Sequence, residues 1–235
     1  MKNKGSHHPL TIFNRFALQY FIDLGFDIYE GNEIESEWYN FDSLNVPADH
    51  PSRDMQDTFW LATDNKEKQV LRTHNTSSEL HIIKSNNIKP PFRIVVPGRD
   101  YRNERTDQSH EHTFYQIDGI VVDENVNLGN LVETLAGWFK YLYGDNIKTR
   151  IRPSFFPFVE PGLEMDIQLQ DGKWRELLGA GMAHPIVLKN MGIDPEKWQG
   201  IMWGTGIDRF AMQKYKIDNI RVFHSQDLRS LKQFS

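Results

Sequence analysis

The sequence contains no cysteine among its 235 residues. This absence excludes disulfide scaffolds, thiolate zinc sites, iron–sulfur clusters and cysteine nucleophiles. No apolar run approaches the ~18 residues that a transmembrane helix needs, so we expect no membrane partner. There is also no basic excess, because Lys plus Arg number 27 against 32 for Asp plus Glu, a net charge of −5. A general nucleic-acid coat is therefore excluded, and any nucleic-acid contact must be local.

Length and composition fit one globular domain. Hydrophobic residues make up 39% and charged residues 25% of the chain, which are values typical of a folded protein. The N-terminus is polar and basic with no apolar stretch after it, so it is not a secretory signal. We expect residues 1–7 to be a disordered tail and residues 8–235 to be one domain. The absence of cysteine also fits a reducing, cytoplasmic location.

The apolar pattern predicts helices before and between strands. Helices are predicted over Leu10–Leu24, Thr76–Ser85 and Leu128–Leu142. Gly25 and Gly144 would end the first and the third, and Thr76 with Glu79 has the spacing of a capping box. Strands are predicted over Val70–Thr73, Arg93–Val96, Phe114–Val122, Thr149–Pro153, Met165–Leu169 and Trp174–Leu178. Hairpin-joined strands with helices indicate an α+β fold, an antiparallel sheet flanked by helices, and the regular alternation of a Rossmann fold is absent.

Two polar clusters could carry chemistry. The charged segment Arg99–His112 lies between two strands and is either a solvated turn or an anion clamp, since arginine contacts phosphate oxygens in a bidentate manner. Phe114, just after it, could stack on a base. Gly204–Arg209 predicts a glycine turn followed by a helix, where a ligand could approach the backbone closely, or merely a packing turn.

Other catalytic arrangements are less favoured. His110 and His112 stand two residues apart in a loop, where side chains point in different directions, so a zinc site with His74 is not expected. No Gly-x-Ser-x-Gly nucleophile elbow is present.

These two clusters, in this order, resemble the second and third motifs of class II aminoacyl-tRNA synthetases. Within that class the chain is similar to the family of bacterial phenylalanyl-tRNA synthetase α chains, from about His8 to Phe234. The strings that carry the similarity are Tyr39–Asn45, Asp49–Phe59, Leu71–His74, Gly98–Gly119, Arg152–Phe158, Gly179–Pro185 and Gly204–Arg209.

The resemblance implies a ligase with an antiparallel sheet flanked by helices. The amino-acid carboxylate attacks the α-phosphate of ATP to give an aminoacyl-adenylate and pyrophosphate, and the acyl group then passes to the terminal ribose of tRNA. Such catalysis consists mostly of positioning and charge neutralisation. ATP with Mg²⁺ is implied, and no organic cofactor.

The resemblance also implies roles in nucleotide binding. Arg102 would hold the α-phosphate and the substrate carboxylate, Glu104 the adenine amino group, and His110 the phosphates. Phe114 would stack on one face of adenine and Arg209 on the other, with Arg209 also reaching the γ-phosphate. Catalysis would rest on Arg102, His110 and Arg209.

Further positions would hold the amino acid and the metal. The implied amino-acid pocket comprises His74, Thr76, Glu79, Gln116, Asp118, Phe156, Phe158, Val159, Met202 and Gly204. The two phenylalanine rings would meet the substrate ring edge-on. Glu160 and Glu176 would bind Mg²⁺, because carboxylate oxygens suit this hard ion.

Three pocket positions depart from the family pattern. Glu79 replaces a common glutamine; it either pairs with the substrate ammonium or closes the helix cap with Thr76. Asp118 is one methylene shorter than the usual glutamate. Met202 replaces a common alanine at the pocket floor, where it would overfill a close-packed site unless it swings aside.

The family also suggests partners. The chain is short for the family, whose N-terminal helical extension grips tRNA, so we expect that extension to be absent. A β chain in a heterotetramer, or a dimer through the helix from Leu10 and a strand near Ile28–Ile34, is implied. Phenylalanine activation is the leading hypothesis. The alternatives are a paralogue that activates another amino acid or loads another acceptor, and a non-catalytic amino-acid-binding module.

Overall fold

The computed structural model describes residues 5–48, 58–62, 67–103, 111–168, 172–225 and 227–234. Its strands are β1 Asp27–Ile28, β2 Ile34–Ser36, β3 Gln69–Leu71, β4 Phe92–Tyr101, β5 Thr113–Asp123, β6 Thr149–Phe156, β7 Val159–Gln168, β8 Trp174–Ala183 and β9 Gln199–Gly206. Its helices are α1 Pro9–Asp23, α2 Glu37–Asn40, α3 Thr76–Ser85, α4 Leu128–Tyr143, α5 Pro185–Asn190, α6 Ile207–Tyr215, α7 Arg221–His224 and α8 Leu228–Leu231. Short 3-10 turns cover Asp42–Leu44 and Lys232–Phe234.

Seven strands form the main sheet, in the order β1-β4-β5-β9-β8-β7-β6. All neighbours pair antiparallel except β1 with β4, which are parallel. Strands β2 and β3 form a separate antiparallel ribbon. The predicted α+β class is therefore confirmed. No helix in the described part of the chain is long and apolar enough to cross a membrane.

Each face of the main sheet has its own hydrophobic cluster, because side chains alternate between the faces along a strand. On one face Ile117 and Trp203 pack with Phe21 of α1, Trp138 of α4 and Phe210 of α6. The indole N–H of Trp138 donates to the carbonyl of Ala17 at 3.0 Å, which satisfies the one polar atom of this buried ring. One side of the sheet is thus closed by helices.

The other face is only partly covered. Ile94, Ile120 and Met202 pack there against Leu80 and Ile83 of α3. Beyond this cluster the same face continues as Gln116, Asp118 and Gly204, since Asp118 pairs with Gly204 and Ile120 with Met202 in the sheet register. The polar end of this face remains open for a ligand.

Two local predictions are wrong. The predicted capping box does not form, because Asn75 is the N-cap of α3 without a side-chain hydrogen bond, and the hydroxyl of Thr76 donates to Asp118 instead. Gly204 is not in a turn, because β9 runs on to Gly206 and the helix begins only at Ile207. Backbone pairing with both β5 and β8 holds Gly204 extended, and Gly206 pairs with β5.

Of the remaining element predictions, the helices are confirmed and one strand is wrong. The three predicted helices are confirmed as α1, α3 and α4, and Gly25 and Gly144 have the positive φ values of 76° and 97° that favour glycine after a helix. The single strand expected near Ile28–Ile34 is wrong: β1 joins the main sheet, whereas β2 leaves it to pair with β3. Residues 1–4 lie outside the described chain, so the disordered tail stays a prediction.

Candidate active site

A cavity of about 380 Å³ lies on the open face of the sheet, within the range of small-molecule sites. Strands β5, β8 and β9 form its floor, and the hairpin between β6 and β7 forms one wall. The predicted site residues that line it are His74, Thr76, Arg102, Phe114, Gln116, Asp118, Phe156, Phe158, Glu176, Gly204 and Arg209. The fold thus brings residues distant in sequence to one cavity.

At the floor of this cavity, two glycines leave no room for a side chain of their own. A Cβ added to Gly204 would lie 2.9 Å from the carboxylate of Asp118, and one added to Gly179 would lie 2.6 Å from the ring of Phe156. Both distances are too short for a side chain. Strands β8 and β9 therefore need glycine at these two positions so that the neighbouring side chains can lie over the backbone.

One end of the cavity is suited to a nucleotide. The guanidinium of Arg102 lies 4.9 Å from the centre of the Phe114 ring, in cation–π contact. Its Nε is buried without a hydrogen-bond acceptor among the described residues. Arg209 lies at the start of α6 and lines the same end. Glu104 and His110, also predicted here, lie outside the described residues.

Asp208 holds this end together, and the sequence analysis missed it. Its buried carboxylate accepts the backbone N–H of Tyr115 at 2.6 Å and lies 3.1 Å from Nε2 of His224. It thereby ties the first turn of α6, which carries Arg209, to the strand that carries Phe114. Only its position beside Arg209 in the glycine-rich segment could have indicated this role.

The opposite end is suited to an ammonium group. The hydroxyl of Thr76 donates to Oδ2 of Asp118 at 2.7 Å. Oδ1 of Asp118 and Oε1 of Gln116 are buried acceptors that receive no hydrogen bond within the described chain. Burial raises the pKa of Asp118 to about 6, although the Thr76 hydrogen bond and Arg72 favour its ionised form. Unpaired buried acceptors of this kind call for a donor, which an ammonium supplies.

His74 borders the same end as a neutral imidazole. Burial, with the cations of Arg102 and Arg72 nearby, lowers the pKa of His74 to about 3. Its ring lies 6.1 Å from that of Phe158, which is in turn stacked 5.9 Å from Phe156. Val46, Phe155 and Pro157 extend this apolar wall and were not predicted. The wall would contact an apolar side chain.

Three predicted pocket residues do not line the cavity. Glu79 is fully buried on α3 and does not reach the cavity. Val159 packs over Gly181, where an added Cβ would lie 2.7 Å from it. Met202 is 1% exposed and packs in the cluster beside the cavity, so the prediction that it forms the cavity floor is wrong. It occupies instead the next position on the same face of β9.

The two carboxylates predicted for Mg²⁺, Glu160 and Glu176, do not lie together in the structure. Glu176 lies at the cavity edge and pairs in register with Asp166, whereas Glu160 stands six residues earlier on β7, roughly 20 Å away at 3.3 Å per residue. Glu164 is the nearer carboxylate, because Nη2 of Arg152 contacts Glu164 at 2.8 Å and Glu176 at 3.4 Å.

These two carboxylates fit Mg²⁺ only in part. Their oxygens are the ligands that this ion prefers, and Mg²⁺ usually takes one or two carboxylates plus substrate phosphates. Within the described ranges, no three acidic, histidine or cysteine side chains form a metal cluster. The remaining ligands would therefore come from the substrate.

A buried arginine positions the elements around the cavity. Arg72 is 1% exposed and donates to the carbonyl of Arg99 at 2.9 Å and to the hydroxyl of Ser78 at 2.8 Å. Its Nε lies 3.2 Å from Oδ1 of Asp100. Asp100 is fully buried, so the charged segment that contains it is not only a solvated turn. In the sequence, this network is indicated only by the position of Arg72 directly after the apolar Leu71.

Known proteins share this architecture. The family model for the class II core domain of tRNA synthetases (F) matches residues 1–234. Phenylalanine–tRNA ligase alpha subunits of Bacillus cytotoxicus and Bacillus anthracis are each 44% identical to this chain over an alignment of 241 positions. The alignment covers 98% of this chain and 69% of each relative. A crystal structure of pyrrolysyl-tRNA synthetase from Desulfitobacterium hafniense superimposes with a TM-score of 0.71 at 17% identity, over 94% of this chain and 74% of that one, and shows the shared fold. The chain therefore belongs to the class II aminoacyl-tRNA synthetase core family, alongside the phenylalanine–tRNA ligase alpha subunits.

Proposed function

We propose that the chain activates an amino acid with ATP and transfers it to tRNA, with phenylalanine as the substrate. One observation carries this proposal: a single cavity has Arg102 and Phe114 at one end and unpaired acceptors on Gln116 and Asp118 at the other. An amino acid held by its ammonium at Asp118 would direct its carboxylate toward Arg102. Nucleotide phosphates would meet the same guanidinium.

In this mechanism the protein contributes position and charge. Arg102 neutralises the substrate carboxylate and the α-phosphate as they approach, so that charge building up at phosphorus is stabilised. Phe114 and Arg209 would hold the adenine between them, with Glu104 at its amino group and His110 at the phosphates. Fixing both reactants converts a bimolecular step into an effectively unimolecular one. Mg²⁺, held by Glu176 with the phosphates, would supply further charge neutralisation.

The partners follow from the same proposal. The relatives are called alpha subunits, which supports a β chain and a heterotetramer for this chain too. We propose residues 8–235 as the catalytic domain, tRNA as the acceptor and the cytoplasm as the location. A phenylalanine side chain would lie along Phe156 and Phe158.

The test is amino-acid-dependent ATP–pyrophosphate exchange across all twenty amino acids, with and without a candidate β chain. Exchange with phenylalanine supports the proposal. Arg102→Ala should lower kcat/KM for exchange by about 10²–10³, the usual cost of losing one charge-stabilising donor. Arg229→Ala is the matched control, because Arg229 is exposed and pairs with Asp227 on the C-terminal helix. Equal activity of the two variants would contradict the assignment of Arg102.

A second candidate is a paralogue that activates another amino acid. Met202 favours it, because this long side chain is buried directly beside the apolar end of the cavity. Exchange with an amino acid other than phenylalanine would support this candidate. Calorimetric binding of an amino acid without exchange under any condition would indicate a binding module.

A further inference from the structure

The short helix α7 and the residue before it lie against the nucleotide end of the cavity. Ile220 lines the cavity itself. Nε of Arg221 lies 3.5 Å from Oε1 of Glu111, and Nε2 of His224 lies 3.1 Å from Oδ1 of Asp208. Glu111 and Asp208 both line the cavity, whereas His224 does not. This segment therefore meets the site at three points, although the proposed mechanism uses none of its residues.

Packing fixes α7 from its other side. Phe223 is 2% exposed, and the centre of its ring lies 6.3 Å from that of Tyr215 and 5.7 Å from that of Phe234. The carbonyl oxygen of Phe223 lies 2.8 Å from Nε2 of His8, the N-cap residue of α1. The position of His224, the next residue along the chain, is thus determined by contacts outside the cavity.

Asp208 needs a second donor because of the place where β9 ends. Pairing of β5 with β9 stops at Gln116 and Gly206, so the amide of Tyr115 lies past the end of β9. Oδ2 of Asp208 accepts this N–H at 2.6 Å, in place of a strand carbonyl. The carboxylate is 1% exposed, and a buried carboxylate is costly unless donors reach it. Because a carboxylate only accepts, the proton of the contact at Oδ1 belongs to Nε2 of His224.

The two groups proposed to hold adenine are the chain neighbours of this contact. Arg209 follows Asp208 in the first turn of α6, and Phe114 precedes Tyr115 on β5. The hydrogen bond between Asp208 and Tyr115 therefore sets the distance between the helix and the strand that carry them. Without His224 the carboxylate could rotate, and this distance would vary. The amino-acid end of the cavity has no part in this contact.

We propose that His224 is a positioning residue for ATP: it donates from Nε2 to Asp208 and thereby fixes Arg209 relative to Phe114. It acts through Asp208 and does not touch the nucleotide. This inference rests on the proposed function, because it takes this end of the cavity as the ATP site. A histidine that only stabilised the fold would affect both ends of the cavity alike.

Calorimetry of the full chain with ATP and Mg²⁺, and separately with L-phenylalanine, tests this selectivity. His224→Ala should weaken ATP binding about tenfold, the effect of losing one hydrogen bond to a charged group, and should leave the Kd for phenylalanine within about twofold. His224→Gln should bind ATP nearly as wild type does, because its amide N–H can replace the imidazole N–H. Unchanged ATP affinity in His224→Ala, an equal loss for both ligands, or no rescue by glutamine overturns the proposal.

His81→Ala is the matched control. The side chain of His81 is also partly exposed and lies 2.9 Å from a buried carboxylate, that of Glu35, but neither residue lines the cavity. This variant should leave the Kd values for ATP and phenylalanine at wild-type levels, even if its free energy of unfolding falls as far as that of His224→Ala. If it weakened ATP binding equally, a general loss of stability would explain both results and the proposal would be wrong.

A further measurement needs no ligand. Hydrogen exchange of the Tyr115 amide, followed by NMR, should be about tenfold faster in His224→Ala and in Asp208→Asn than in wild type, and unchanged in His81→Ala. An unchanged rate in His224→Ala contradicts the proposal. If the wild-type chain binds no ATP, the proposed function fails, and the exchange rate of this amide still decides whether His224 holds Asp208 in place.

Discussion

At the residue scale, Met202 limits how far the amino-acid end of the cavity extends. On β9 the side-chain positions of Gly204 and Met202 share one face of the sheet, paired with Asp118 and Ile120 of β5. Gly204 leaves space above the backbone, and Met202 fills the next position with a side chain that is 1% exposed. We therefore expect substrate size to depend on a residue that lies beside the cavity rather than on its surface.

Met202→Ala should enlarge this end. We expect the free energy of unfolding to fall by roughly 2–5 kcal/mol, the cost of a buried large-to-small change, and exchange with bulkier aromatic amino acids to rise. Denaturant unfolding and ATP–pyrophosphate exchange measure the two effects. Met165→Ala is the control, because Met165 is fully buried in the cluster on the helix-covered face. The idea fails if both variants lose stability and neither changes the substrate profile.

Residues that line the cavity were more predictable than residues that support them. Phe114, Gln116 and Phe156 were placed by resemblance, because their side chains belong to recognisable strings, and the structure brings them to the cavity. Asp208 was missed since its partners are a backbone N–H and a histidine far along the chain. Such contacts have no local sequence pattern.

At the element scale, Arg72 fixes α3 and β4 relative to each other. It joins Ser78 of the helix to Arg99 and Asp100 of the strand, and its guanidinium occupies the space that a side chain at position 98 would need. Helix α3 carries Thr76 and Glu79, and the chain leaving β4 carries Arg102. The distance between the two ends of the cavity depends on this contact.

Arg72→Lys keeps the charge but loses the planar fork of donors. We expect the free energy of unfolding to fall by roughly 1–3 kcal/mol from unpaired buried acceptors. We also expect KM for the amino acid to rise about tenfold, with a smaller change in kcat, because misplaced binding groups weaken ground-state contacts first. Steady-state exchange kinetics separate these terms. Arg93→Lys, at an exposed position of β4, should leave KM and kcat at wild-type values.

Elements with a regular apolar period were predicted well, and glycine-rich ones were not. Helices α1 and α4 follow the period of their buried residues, such as Phe13 and Leu135. The end of β9, Gly204–Gly206, was predicted as a turn because two of its three residues are glycines, which have no side chain to alternate. Only pairing with β5 and β8, distant in sequence, makes it a strand.

At the scale of the whole molecule, the sheet has one face for stability and one for binding. The helix-covered face contains an almost wholly apolar cluster. The open face buries Glu79, Asp100 and Asp118, which would be stabilised by protonation or by a bound cation. We infer that the ligand-free protein is less stable than its fold allows, because the open face buries three acids whose ionisation burial opposes.

Two buried aspartates of the main sheet test this inference, because ionisation of one should destabilise the fold and ionisation of the other should stabilise it. The pKa of Asp118 is about 6 in the folded chain against about 4 unfolded, so its ionisation destabilises the fold by about 3 kcal/mol at pH 7 and by almost nothing below pH 4. Asp118→Asn should therefore raise the free energy of unfolding at pH 7 and leave it nearly unchanged at pH 4.

Asp166 should behave in the reverse way. Burial opposes its ionisation, but hydrogen bonds from Arg152 and Arg150 outweigh that effect and hold its pKa below the usual range. The resulting stabilisation is present above about pH 4 and is lost as the pH falls through the lowered pKa. Asp166→Asn should thus destabilise at pH 7, where both arginines lose their ionised partner, and the loss should shrink toward pH 3. Urea unfolding of both variants and wild type across this range decides the matter. If Asp118→Asn lowered the free energy of unfolding at pH 7 as Asp166→Asn does, the buried acids of the open face would not be destabilising the ligand-free protein.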